Sequence, residues 1–256
     1  MGLSIHIHAH APASFSGEKV HALVARWHGV AEAFAVAGRV ERVLEISDDA
    51  GDLEQFATRW LSHPHPAEPD TITGVAAPPL EGSIFLVLPG EGCEPLVLGL
   101  CRYPAAAETG DDEPNPPAGN ADGWHLLSSC KTQYASRLGW EHFRRCHLAV
   151  VDLALAGQSI GMDVHIEDEG GYWPARHEAI LRASLERLNR LTAGLAGALK
   201  DAADAGDGCV ASVQAPILAH PDFERLEAEA HTALTRKNSP MPCRQSAKSP
   251  HEKARR

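Results

Sequence analysis

The chain has no apolar run long enough to cross a bilayer. Residues 84–88 and 148–156 are the longest candidates, and Asp152 interrupts the second; a spanning helix needs ~20 apolar residues. The N-terminus has neither a basic start nor a long apolar stretch, so no secretory signal is expected. Also missing are G-x-x-x-x-G-K-[ST], G-x-G-x-x-G after a strand, G-x-S-x-G and H-E-x-x-H. Their absence moves the commonest nucleotide enzymes, serine hydrolases and zinc proteases out of the front rank. The six cysteines are dispersed without a C-x-x-C pair. They read as reduced thiols, and the expected compartment is the cytoplasm.

Basic residues are scarce outside the C-terminus. The 23 Lys/Arg face 34 Asp/Glu, for a net charge of −11. From His231 onward there are seven Lys/Arg and one acid, so that tail is +6 and the preceding body is −17. An acidic body repels phosphate backbones and attracts basic proteins. The partner expected is therefore a basic protein, with no nucleic acid and no membrane. With 256 residues, 44% apolar and 22% charged, the composition is that of a globular protein. It reads as a single domain over 1–231 followed by a disordered basic tail over 232–256.

What the sequence does contain is periodicity. Leu3, Ile5 and Ile7 alternate with Ser4, His6 and His8, which predicts a half-buried strand. Ser16 stands as an N-cap before Val20, Leu23, Val24, Trp27, Val30, Ala31 and Phe34, an apolar stripe at helical spacing that ends at Gly38. Further strands are predicted over 40–46, 72–76, 84–88, 96–101, 124–134, 164–166 and 210–213. Helices are predicted over 53–61, 140–160, 178–205 and 222–231. The longest carries Leu181, Leu185, Leu188, Leu191, Leu195 and Leu199 as one stripe. Residues 63–69 (HPHPAEP) read as a loop, because proline removes a backbone donor and disfavours helix before it. Residues 104–123, rich in Ala, Pro, Asp and Gly, read as a mobile loop. The order β-α-β-(β)n-α-β-α, with hairpin-linked strands in the middle, predicts an α+β fold. Its sheet is largely antiparallel, with helices packed on one face.

Three stretches concentrate polar chemistry. His6, His8 and His10 project from one face of a strand and are of the zinc-ligand type. The eightfold strand–helix repeat of the barrel hydrolases that use such a pair is absent. A solvated strand face is the simpler reading for these three, His63 and His65 lie in the proline loop with an equally weak claim, and no metal is assigned. Cys130, and the helical pair His142 and Cys146, offer thiol–imidazole combinations, against which stands ordinary core packing of the thiols. Glu167, Asp168 and Glu169 precede Gly170, Gly171, Tyr172 and Trp173. The acids suit a hard cation or acid–base work, or else a plain turn anchored by its aromatics.

Ser4-Ile5-His6, Lys131-Thr132-Gln133-Tyr134-Ala135 and Asp168-Glu169-Gly170-Gly171-Tyr172-Trp173 are the distinctive segments. Together they resemble a family of uncharacterised bacterial proteins with an SIH opening strand, a KTQ(Y/F)A segment and a (S/T)DEGxYW turn. The likeness spans most of residues 1–205. Ile7 and His8 stand where that pattern has an aromatic and a basic residue, and Glu167 where it has serine or threonine. The resemblance implies a shared fold and carries no reaction and no cofactor. It singles out His6, Lys131, Gln133, Asp168, Glu169, Tyr172 and Trp173 as a three-part polar set of the kind that lines a cleft at a sheet edge. Two functions fit. The first is a non-catalytic protein-binding module, of the immunity or adaptor kind, favoured by the acidic body. The alternative is a small-molecule enzyme using a polar cleft around His6, Lys131 and Asp168.

Overall fold

Alternation at the N-terminus produces strand β1 (Ser4–Ala11), with Ile5, Ile7, Ala9 and Ala11 buried and His6, His8 and His10 on the opposite face. The computed structural model describes residues 3–65, 68–104, 123–204 and 215–238. Helix α1 (Gly17–Val36) begins where Ser16 Oγ accepts from Lys19 N. It ends before Gly38, whose φ of +67° is the left-handed position that glycine takes without strain. Strand β2 is only Arg42–Val43, shorter than the pattern predicts, with a bridge at Ser47 continuing its path. Helix α2 (Ala50–Ala57) lies earlier than predicted, because Asp49 caps it by accepting from Gly51 N and Asp52 N.

Strands β5 (Glu81–Leu88) and β6 (Leu96–Arg102) pair as two of the three strands expected in a meander, and β7 (Trp124–Lys131) continues the same sheet. Helix α3 (Trp140–Ser159), strand β8 (Asp163–Asp168), helix α4 (Glu178–Asp204) and helix α5 (Phe223–Asn238) follow. The six-stranded sheet runs β2-β5-β6-β7-β1-β8, with its strands paired antiparallel. The fold is α+β.

Four local expectations change. Strand β4 (Glu68–Ala77) does not join the meander; it pairs with β3 (Arg59–His65) in a separate two-stranded ribbon. That ribbon takes up most of the HPHPAEP segment read as a loop. Its prolines are tolerated because each strand of a two-stranded ribbon keeps one unpaired edge. Strand β7 stops at Lys131, and Gln133–Leu138 turns into a 3-10 segment instead of extending the strand. Helix α5 continues through Asn238, into the segment read as a disordered tail. The predicted strand over 210–213, most of the 104–123 loop and the tail beyond 238 lie outside the described residues.

One sheet face carries the main core. Ile5 and Ile7 of β1, Phe85 and Val87 of β5, and Leu98 and Leu100 of β6 pack with Trp27 of α1 and Leu153 of α3. Trp27 Nε1 donates to Leu153 O at 2.7 Å, which satisfies a buried donor and ties the two helices together. The two helices α1 and α3 thus share one face, as expected. The short helix α2 departs from it: Leu53 and Ala57 pack with Ile84, Cys101 and Tyr103 on the reverse face of β5 and β6. Among the described residues, no helix is long and apolar enough to cross a membrane.

Candidate functional site

The sheet end where β1 begins gathers the three distinctive segments. Register sets Ser4 opposite Lys131 and Ile5 opposite Asp168. Only β1 separates Lys131 from Asp168, which is roughly 10 Å of sheet. The side chains then take separate roles. Gln133 is buried, and its Oε1 accepts from Leu3 N at 2.6 Å. Glu169 Oε2 accepts from Ser4 N at 2.9 Å, and its Oε1 lies 3.7 Å from the exposed His6 Nε2. The start of β1 is therefore held from both flanks. Lys131 Nζ pairs with Glu94 at 3.4 Å.

Asp168 organises the turn that follows β8. Its side chain is fully enclosed. Oδ1 accepts from Gly170 N at 2.7 Å, and Oδ2 accepts from Tyr172 N at 2.7 Å and Trp173 N at 2.9 Å. A tight turn leaves such amides without ladder partners, and a carboxylate satisfies several at once. Burial pushes the Asp168 carboxyl up, but the His147 imidazole and the amides of Trp173 and Gly170 outweigh it and hold the group below the usual carboxylate range. His147 Nε2 lies 3.2 Å from Oδ1, without the alignment of a full hydrogen bond, and Nδ1 lies 2.8 Å from Thr132 Oγ1. A carboxylate only accepts, so Nε2 carries the proton and Nδ1 accepts from the threonine hydroxyl. Thr132, His147 and Asp168 have the composition of a hydrolytic triad, yet all three side chains are sealed from solvent. A reacting hydroxyl needs access to substrate; this chain of groups positions the turn. Sequence reasoning did not assemble it. One signal was present: His147 stands one helical turn after Phe143, and both are buried on α3.

The turn delivers α4. Tyr172 is buried and Trp173 is packed on the core edge, ahead of a cis bond to Pro174. A Cβ on Gly170 would come within 2.6 Å of Leu181, so glycine is what lets the turn rest on α4. Arg144 Nε meets Glu178 at 2.7 Å across from α3. Leu181, Leu185 and Leu188 are buried in the core. The same stripe then leaves it: Leu191, Leu195 and Leu199 are 55%, 62% and 50% exposed. Helix α5 covers the adjoining side of α4, where Leu226 packs with Ala193 and Ala196.

His6, His8 and His10 share the reverse face with His125 and His165, their cross-strand neighbours. An open groove of about 400 Å³ runs there between His6, His8, Ser129, His165 and Glu167. Among the described residues, no three His, Cys, Asp or Glu side chains converge to hold a metal ion. His125 stacks on Tyr103 with ring centroids 4.9 Å apart and contacts Arg59. Burial, then the Arg59 charge, lowers it to about 4.

No family model matches the chain, and no curated protein or solved structure matches it.

Proposed function

We propose that the chain is a non-catalytic protein-binding module that docks a basic protein on the distal half of α4. The observation that carries this reading is the leucine stripe, buried from Leu181 to Leu188 and bare from Leu191 to Leu199. Contiguous exposed leucines at helical spacing are costly in water and mark interaction surfaces. The charge of the body, −17, favours a partner rich in Lys and Arg.

The enzyme reading around His6, Lys131 and Asp168 draws less support. Asp168 and Gln133 spend their acceptors on backbone amides, and Lys131 is paired with Glu94. Affinity capture with the full chain, at low and raised salt, tests the proposal. The expected result is a basic protein that is retained by the wild type, released by salt, and lost with Leu195→Glu and Leu199→Glu together. Equal retention by that variant would sink the docking site, and self-association of the wild type would replace the partner with a second copy.

A further inference from the structure

On this acidic body, two arginines converge on one carboxylate. Asp152 lies on α3; its Oδ2 accepts from Arg39 at 2.5 Å and its Oδ1 accepts from Arg176 at 3.2 Å. Each guanidinium also rests on an aromatic face. Arg39 N donates to Phe34 O at 2.9 Å, which folds the chain back after α1 and sets the guanidinium 3.9 Å over the Phe34 ring. Arg176 lies 5.7 Å over the Trp173 ring. A third cation stands alongside. Arg145 is on α3, two turns before Asp152 and on the same face, and donates at 3.1 Å to the carbonyl of Gly38, the neighbour of Arg39.

The backbone supplies an independent sign. Arg176 has φ +53°, and among the described residues it alone takes a positive φ without being glycine. A left-handed arginine is strained, whereas glycine would sit there freely. Such strain collects at ligand clamps, where the side chain has a task that glycine cannot perform. Pairing with Asp152 is a task of low worth for an arginine that is half exposed. A second task, on the open side of the guanidinium, accounts for the residue. The exposures leave that side free: Asp152 is 25% exposed, against 40% and 50% for Arg39 and Arg176. The carboxylate therefore holds both groups from beneath. It occupies one nitrogen of each, and the other N–H groups remain for a ligand.

We infer that Arg39 and Arg176, aimed by Asp152, bind the phosphate group of a phosphate monoester, carried by a small metabolite or by a phosphorylated side chain. Three guanidinium groups face one carboxylate, which leaves two positive charges for a group that carries close to two negative ones. A tetrahedral phosphate has oxygens enough to meet donors arriving from both sides, where a carboxylate fills a single fork. Asp152 is a positioning residue and does not touch the ligand.

The test is calorimetric titration of the full chain, at low salt and without phosphate buffer, with glycerol 3-phosphate and with a short peptide carrying one phosphoserine. Glycerol and the unphosphorylated peptide are the controls. One-to-one binding at about 1 mM or tighter is expected with a phosphorylated probe and with neither control. Tighter binding of the peptide assigns a phosphorylated side chain; equal or tighter binding of glycerol 3-phosphate assigns a metabolite. Arg39→Gln and Arg176→Lys should each weaken binding about tenfold or more, the scale of one lost hydrogen bond to a charged group. Arg176→Gly should lose as much while the protein stays folded by circular dichroism, since glycine takes that position without strain. Asp152→Asn adds net positive charge, so attraction by charge alone would tighten binding, whereas loss of a positioning group weakens it. The inference is overturned if no phosphorylated probe binds above its control, if Arg176→Lys binds as well as the wild type, or if Asp152→Asn binds more tightly.

Discussion

Replacing Asp168 by asparagine keeps the size of the side chain and removes one acceptor. If the remaining oxygen stays on Tyr172 N and Trp173 N, the new amide group faces Gly170 N, a donor that loses its acceptor, and the edge of the His147 ring. A buried donor left unpaired costs about 1–3 kcal/mol, and the bonds kept at Tyr172 N and Trp173 N weaken when their acceptor loses its charge. The expected loss in urea denaturation at neutral pH is therefore about 1–3 kcal/mol. The sign of its pH dependence follows from the depressed carboxyl. Unfolded, the group titrates near 3.9. Its contribution is complete above that value and lost as pH falls through the lower folded value. The gap between wild type and Asp168→Asn should therefore close in strong acid. A loss under about 1 kcal/mol, or a gap unchanged in acid, would refute the role given to this carboxylate.

Two further outcomes can be checked by stability measurements. Gly92 has φ +84°, and a Cβ there would meet Ala135 N and Tyr134 O at 2.7 Å, so Gly92→Ala should cost about 2 kcal/mol or more; a smaller loss would mean that the β5–β6 loop yields freely. His125 is held near 4 when folded and titrates near 6.5 when unfolded, so the unfolded chain takes up the proton first and stability falls as pH drops through that window. His125→Phe should flatten this slope, as read from thermal midpoints across pH, and an unchanged slope would assign it to other groups.

Much of the scaffold was legible because it rests on local patterns. Ile5 and Ile7 alternate, Ser16 caps, Gly38 ends a helix, and each appears where periodicity put it. The site was harder. The three acids at 167–169 looked alike in sequence, but only Asp168 points inward, because strand alternation and the glycines behind it aim it at three amides. Thr132 and His147 meet through packing of α3 on the sheet end, which neither segment's period encodes. The leucine stripe of α4 was visible in full. That its second half outruns the core depends on where the sheet ends, a tertiary fact. The contact of His142 with Cys146 was legible from helical spacing, whereas the bond from Cys146 Sγ to Pro89 O joins a helix to a loop across the fold.

Hydrogen–deuterium exchange on the full chain, with and without the captured basic partner, tests the docking surface most directly. Slower exchange confined to the distal half of α4, from Leu191 onward, with the already buried Leu181–Leu188 stretch unchanged, is the predicted result. Protection on the histidine face of β1 and β8 instead, or none on α4, would contradict it.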